Sequence, residues 1–300
     1  LKRGDTIGVI APSGPIVDEK IEEIELARQI VERDGFKVVF SNNLFSNTNI
    51  YSATVHEKAR DLNFMFADDQ IKMIWCAKGG ENSNSLFAYI DYENIKNHPK
   101  IFCGYSDITS LSNMIYAKTG LVTFNGTNFK TIATDKTGYS YNEVLNRLVD
   151  RNLELGDSPT GYQSIRDGFA EGELIGGNLS LTRGMVSGKY WLDFNDKILF
   201  LEELGTEADP EAISNYLYFM RQNGVFDKIN GLWLGNYEHE SGITLEQIVL
   251  DVLENDYDFP IIKSNNFGHI ETKTIIPIGI KARIDTNEDI KIQLIENCVE

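Results

Sequence analysis

The chain has 300 residues, enough for two ordinary domains, and its 42% hydrophobic and 24% charged content is the balance of a globular protein with a sizeable core. A formal net charge of −17 disfavours nucleic acid as a general partner, while leaving room for one local basic pocket. The three cysteines, Cys76, Cys103 and Cys298, have neither the close spacing nor the partner histidines of a metal site, and they suit a reducing compartment rather than a disulfide scaffold.

No apolar run approaches the ~18 residues a membrane helix needs. The opening "LKRGDTIGVIAPSG" enters a strand almost at once, without a signal-peptide core. The expectation is a cytoplasmic protein with no membrane partner.

In chain order, "DTIGVIA" predicts a compact strand stopped by the prolines of "PSGP" (Pro12 to Pro15). Ile21, Ile24, Ala27 and Ile30 then fall at helical spacing, with Gly35 as the stop. "FKVVF" predicts a strand, "VHEKARDLNFMFAD" a helix, "IKMIWCA" a strand, "SNSLFAYID" a helix and "KIFCG" a strand. Strands separated by helices of this length predict a parallel, doubly wound sheet over residues 1–155. From about Arg151 the chain becomes rich in glycine and turn formers with no sustained period, and 156–175 is expected to be a connection. Beyond it, "KILFLEE", "INGLWLGNY", "PIIKSNNFGH", "TIIPIGIKARID" and "DIKIQLIE" predict strands. Two helices interrupt them, "DPEAISNYLYFMRQNG" and "TLEQIVLDVLENDY"; the first has Asp209 as cap, Pro210 at the first position and Gly224 as stop. Residues 176–300 therefore predict a smaller, β-rich α/β domain.

In an open α/β sheet, ligands gather at the carboxyl ends of the strands, where "APSGP", "AKGGENSNS" and "GYSD" lie. Gly104 permits a sharp strand-to-helix turn that would project Ser106 as a nucleophile, but Ile108 stands where the elbow pattern has its second glycine. Ser106 serves equally well as a helix cap ahead of Ile108, Leu111 and Ile115, so the local stretch supports both readings. Gly79 and Gly80 follow a buried strand, and their N–H groups suit an anion or an oxyanion. The glycine patterns of nucleotide hydrolases and dinucleotide-binding proteins are absent.

Of the four histidines, His56 and His98 read as surface residues, and His239 sits in the polar loop "YEHES" without metal-site geometry. His269 lies in a short loop after Gly268, which can hold its ring in place. A carboxylate to orient it would come from Glu202 or Glu203, of which at most one can face a given cleft because neighbours on a strand point opposite ways. Cys103 is an alternative nucleophile, but it lies inside its strand with no base beside it.

Taken together in this order, "VIAPSGP", the glycine–"NSN" loop with "YIDY", "GYSDIT", "GELIGGNLSL", "ILFLEE" and "FGH" resemble the LD-carboxypeptidase family of serine peptidases across nearly the whole chain. The resemblance implies a flavodoxin-like N-terminal domain and a swivelling C-terminal β/α domain. It further implies a Ser106–His269–Glu202 triad, with Glu203 as the fallback acid, and an oxyanion hole from the backbone N–H groups of Gly80 and Asp107. Gly79, Asn82 and Asn178 are expected near substrate. No metal or organic cofactor is implied, and members are often homodimers.

The family acts on murein tetrapeptides, releasing terminal D-alanine, or on microcin C and related aminoacyl-nucleotide conjugates. Lys78-Gly79-Gly80-Glu81 departs from the "RGGYG"-like loop of the murein branch, while Asn82-Ser83-Asn84 and "YIDY" sit nearer the microcin-immunity branch. Glu81 adds negative charge where a phosphate would be read. Lys78 and Arg183 are candidate anion contacts, with a plain surface role the stronger expectation. Phe169 and Trp191 offer stacking surfaces for a base, although core or interface positions are the stronger expectation for both. A non-catalytic binding protein on the same scaffold is the alternative of another class.

Overall fold

The structure is a computed structural model in which residues 1–48, 51–156 and 158–299 are described. Asn49 and Ile50 of the expected first domain, Asp157 of the expected connection and Glu300 of the expected second domain lie outside the described residues. The chain divides into two compact units, Leu1–Asn152 and Leu153–Glu300.

In the first unit, β1 (Thr6–Ile10) leads to α1 (Glu19–Arg33), which buries Ile24, Ala27 and Val31 and stops before Gly35, at φ 91°. Next come β2 (Lys37–Phe40) and α2 (Val55–Ala67); the start of α2 is fixed by a capping box between Thr54 and Glu57. Then follow β3 (Ile71–Cys76), α3 (Tyr92–Asn97), β4 (Ile101–Gly104) and α4 (Ile108–Thr119). β5 (Thr123–Asn125), α5 (Thr131–Thr134) and α6 (Tyr139–Leu148) complete it. Within this unit the strands lie in the order β5-β4-β3-β1-β2, all parallel. That is the flavodoxin-like order, with the order of strand addition switching sides between β1 and β3. The helix expected over "SNSLFAYID" is only a 3-10 turn, Ser83–Leu86, followed by α3. Here Ser83 bonds to the elbow after β4 rather than within its own turn, a competition that short polar side chains often win.

In the second unit, β6 (Gln163–Arg166), β7 (Phe169–Asn178) and α7 (Leu179–Arg183) precede β8 (Lys197–Glu202) and α8 (Pro210–Gln222). They are followed by β9 (Gly231–Leu234), α9 (Leu245–Leu253), β10 (Ile261–Lys263), β11 (Ile276–Ile278), β12 (Lys281–Asp285) and β13 (Ile292–Leu294). Seven strands form one mixed sheet in the order β13-β12-β7-β8-β9-β10-β6, parallel from β7 to β10 and antiparallel at both edges. β8 lies in its middle, with Leu199, Phe200 and Leu201 all fully buried. Each such side chain contributes ~1.5–3 kcal/mol by leaving water.

The stretch expected to be a connection thus carries β6 and most of β7. Its glycines read as turn formers, yet Gly172 lies inside β7, where a Cβ would stand 2.5 Å from the Asp196 carbonyl oxygen and 3.0 Å from Ile198 N of β8. Glycine there permits close approach of two backbones rather than a reversal of the chain. The expected strand "TIIPIGIKARID" is likewise divided into β11 and β12, around Gly279 at φ 92°.

Candidate active site

In the first unit, three loops leave the carboxyl ends of β1, β3 and β4. Ser106 follows β4 with φ 64°, a left-handed conformation that side-chain-bearing residues seldom adopt and that costs ~1–3 kcal/mol. The cap position of α4 falls on Asp107, at φ −54°, so Ser106 is the turn residue itself and not the cap. Ile108, where an elbow would carry its second glycine, begins the helix and is wholly buried.

The loop after β3 packs against this turn. A Cβ placed on Gly79 would stand 2.9 Å from Ser106 Cβ and 3.0 Å from its Oγ, so only a glycine lets the serine side chain lie there undisturbed. Gly79 also accepts a hydrogen bond from Gly14 N at 3.1 Å, which ties the loop after β1 to the same place. Asn82 turns inward, its Oδ1 accepting from the buried Lys58 Nζ at 2.9 Å. Lys78 is engaged nearby, donating to the Pro15 carbonyl at 3.4 Å. Burial, followed by the charges of Lys20 and Lys130, holds the Lys78 ammonium below its usual range.

In the second unit, the structure brings Glu202 and His269 together. Glu202 ends β8, is 1% exposed, and its Oε2 lies 2.8 Å from His269 Nδ1. Gly268, at φ 112°, presents the histidine; a Cβ on it would crowd Glu202 Cβ and Oε2, each at 3.0 Å. Burial by itself lowers the affinity of the imidazole for a proton. Glu202, by charge and by hydrogen bond, with Glu203 adding charge, outweighs that and raises His269 above its ordinary value.

Glu203 points the other way. It accepts from Asn178 Nδ2 at 2.7 Å, Ser180 N at 2.9 Å and Leu204 N at 2.9 Å. Burial and the neighbouring Glu202 charge push its carboxyl up against those three donors. Asn178, expected near substrate, is 2% exposed; while its Nδ2 serves Glu203, its Oδ1 accepts from Leu181 N at 3.3 Å and caps α7. The reason is local: at the end of β7 it faces the exposed N–H groups of a helix that begins one residue later.

Arg183 lies 4.3 Å from the Tyr216 ring centroid, stacked on its own unit. Phe169 and Trp191 are 59% and 52% exposed, so neither is a core residue. Cys103 is wholly buried in β4 and burial pushes its thiol far up, which removes it as a nucleophile. His239 pairs through Nδ1 with Ser241 Oγ at 2.9 Å in its own loop. Among the described residues, no helix is long and apolar enough to cross a membrane. Sequence reasoning missed the Asp107 side chain; it is wholly buried between the loops, and its only signal was a carboxylate directly after the turn serine.

A serine in a strained turn at the head of a flavodoxin-like sheet, flanked by glycine loops, and a half-buried histidine paired with a buried carboxylate are components of acyl-transfer hydrolases. Residues 7–126 match the LD-carboxypeptidase N-terminal domain and residues 171–284 the LD-carboxypeptidase C-terminal domain. A probable murein peptide carboxypeptidase of Bacillus subtilis is 32% identical, over 96% of this chain and 91% of its own length. The microcin C7 self-immunity protein MccF of Escherichia coli is 30% identical, over 96% of this chain and 93% of its own. A solved structure of MccF in complex with glutamyl sulfamoyl guanosine superposes with a TM-score of 0.91 at 26% identity, covering 100% of this chain and 98% of that one. The chain belongs to the LD-carboxypeptidase family and is a serine carboxypeptidase-type enzyme.

Proposed function

We propose that Ser106, His269 and Glu202 act as one triad that hydrolyses an amide bond of a small peptidyl or aminoacyl-nucleotide conjugate. The observation that carries this reading is the left-handed Ser106, whose strained turn lies against Gly79 at a separation that no side chain could share. In this mechanism His269 takes the Ser106 proton as Oγ attacks the carbonyl carbon, and Glu202 fixes the imidazole with Nδ1 as donor. The backbone N–H groups of Gly80 and Asp107 stabilise the oxyanion, each donor worth ~3–4 kcal/mol in comparable sites. His269 then protonates the leaving amine, which departs and leaves an acyl-enzyme. Water, deprotonated by the same imidazole, releases the acid and restores Ser106.

The conjugate substrate is supported by likeness to MccF, whose structure holds an aminoacyl-nucleoside analogue, and by Trp191, an exposed aromatic surface of the kind that stacks on a base. Murein tetrapeptide cleavage at an L,D bond is the second reading, favoured by the 32% identity to the B. subtilis enzyme. The test is a side-by-side assay of a peptidyl-nucleotide conjugate and a murein tetrapeptide, with Ser106→Ala, His269→Ala and Glu202→Gln as controls. The conjugate is expected to be cleaved, and each variant to fold while losing nearly all turnover. Cleavage of the tetrapeptide alone would transfer the enzyme to the murein branch. Retained turnover in Ser106→Ala would end the serine mechanism.

A further inference from the structure

The chemistry proposed above calls on Asp107 only for its backbone N–H, yet its side chain is wholly buried where three loops meet. Asp107 Oδ2 accepts from Ser13 Oγ, in the loop after β1, and from Ser83 N at 2.7 Å, in the loop after β3. Its main-chain carbonyl accepts from Ser83 Oγ, also at 2.7 Å. Ser13 and Ser83 are themselves 0% exposed. Gly80 lies between these tethers, so close to Ser13 Oγ and Gly14 N that any side chain would displace them.

Two features set this carboxylate apart from an ordinary helix cap. An aspartate at the cap position normally accepts from the first N–H groups of its own helix. Asp107 occupies that position for α4 and makes no such bond. Moreover, its Oδ1 is buried without a hydrogen-bond partner, an arrangement that costs free energy a simple cap would not incur. Lys58, 3% exposed, carries the opposite charge; burial lowers its ammonium below the usual range, and the Asp107 charge works against that shift.

We propose that the Asp107 carboxylate is a positioning residue, joining the loops after β1 and β3 to the Ser106 turn so that the Gly80 and Asp107 N–H groups are aimed before substrate arrives. This rests on the serine mechanism above. Preorganised donors act on the transition state more than on bound substrate, so their loss lowers kcat and leaves KM nearly unchanged. Asparagine keeps one carbonyl oxygen able to accept from both Ser13 and Ser83, whereas alanine keeps none.

The experiment uses the full chain, with whichever of the two amides the parent enzyme hydrolyses, together with a fluorophosphonate probe mapped by mass spectrometry. The parent must first label at Ser106; if it does not, the serine mechanism falls irrespective of Asp107. Given labelling, Asp107→Ala is expected to lose ~10²-fold in kcat with KM within about threefold, and Asp107→Asn to recover to within about tenfold of the parent. Ser13→Ala, which removes one tether and leaves the carboxylate in place, guards against misfolding of the alanine variant. It is expected to unfold cooperatively with a thermal midpoint only a few degrees below the parent's, and to lose ~10-fold in kcat at about 25 °C. Parent-like kcat in Ser13→Ala, or an Asp107→Asn variant as slow as Asp107→Ala, overturns the proposal.

Discussion

His269 carries the clearest pH signature of any single residue in the chain. Burial disfavours its cation, but the Glu202 and Glu203 charges more than offset this, so its folded-state value lies above that of free imidazole. A base must be neutral, and the acid limb of kcat/KM is therefore expected above the ordinary histidine range near ~6.5. An NMR titration of the His269 ring gives the same quantity without turnover. In Glu202→Gln, burial remains while the largest opposing charge is gone, so the titration is expected to move to lower pH. A midpoint unchanged by Glu202→Gln would show that the 2.8 Å contact does not govern the proton. Stability follows the same sign. The ion pair stabilises fully below the unfolded-state value of the imidazole, and that contribution is lost as pH rises through the raised folded value.

β8 is the element that separates roles between adjacent carboxylates. Glu202 faces His269, while Glu203 gathers the amide of Asn178 and two backbone N–H groups around the start of α7. Glu203→Ala would strand the buried Asn178 amide and two half-buried backbone N–H groups, and a loss of ~1–3 kcal/mol in unfolding free energy is expected from denaturant titration. In the same variant the His269 titration should fall only modestly, because Glu202 acts on the imidazole more strongly than Glu203 does. A stability unchanged from the parent would mean that water replaces the carboxylate without penalty.

Much of this was legible in the sequence, because alternation along "KILFLEE" separates the two glutamates and the glycines around Ser106 mark its turn. The Asp107 tethers were not, since Ser13 lies 94 residues away and nothing local encodes that contact. β7 was hidden for a different reason: its glycines are required by the backbone of β8, a long-range demand that has the appearance of a local turn signal.

For the whole molecule, the three thiols discriminate between reaction classes. Cys76 and Cys103 are 0% exposed, Cys298 is 8% exposed, and burial raises the pKa of both Cys76 and Cys103. Alkylation with iodoacetamide under native conditions is expected to leave turnover intact, with Cys76 and Cys103 modified only after denaturation. Rapid inactivation by the reagent, absent in Cys103→Ala, would restore the thiol mechanism. The candidate reacting groups are divided along the chain, the serine in Leu1–Asn152 and the histidine and glutamate in Leu153–Glu300.

The central place of β8 has a consequence for inheritance. It is hydrogen-bonded on both sides, by β7 and β9, so its register cannot drift with the length of any loop. One inserted or deleted codon inside its six residues would rotate the pair by half a pleat, turning the carboxylate that holds α7 toward His269 and sending the other into the place of Asn178's partner. A library of single-codon insertions and deletions is therefore expected to lose activity when the change falls inside β8, while substitutions there remain open to the strand.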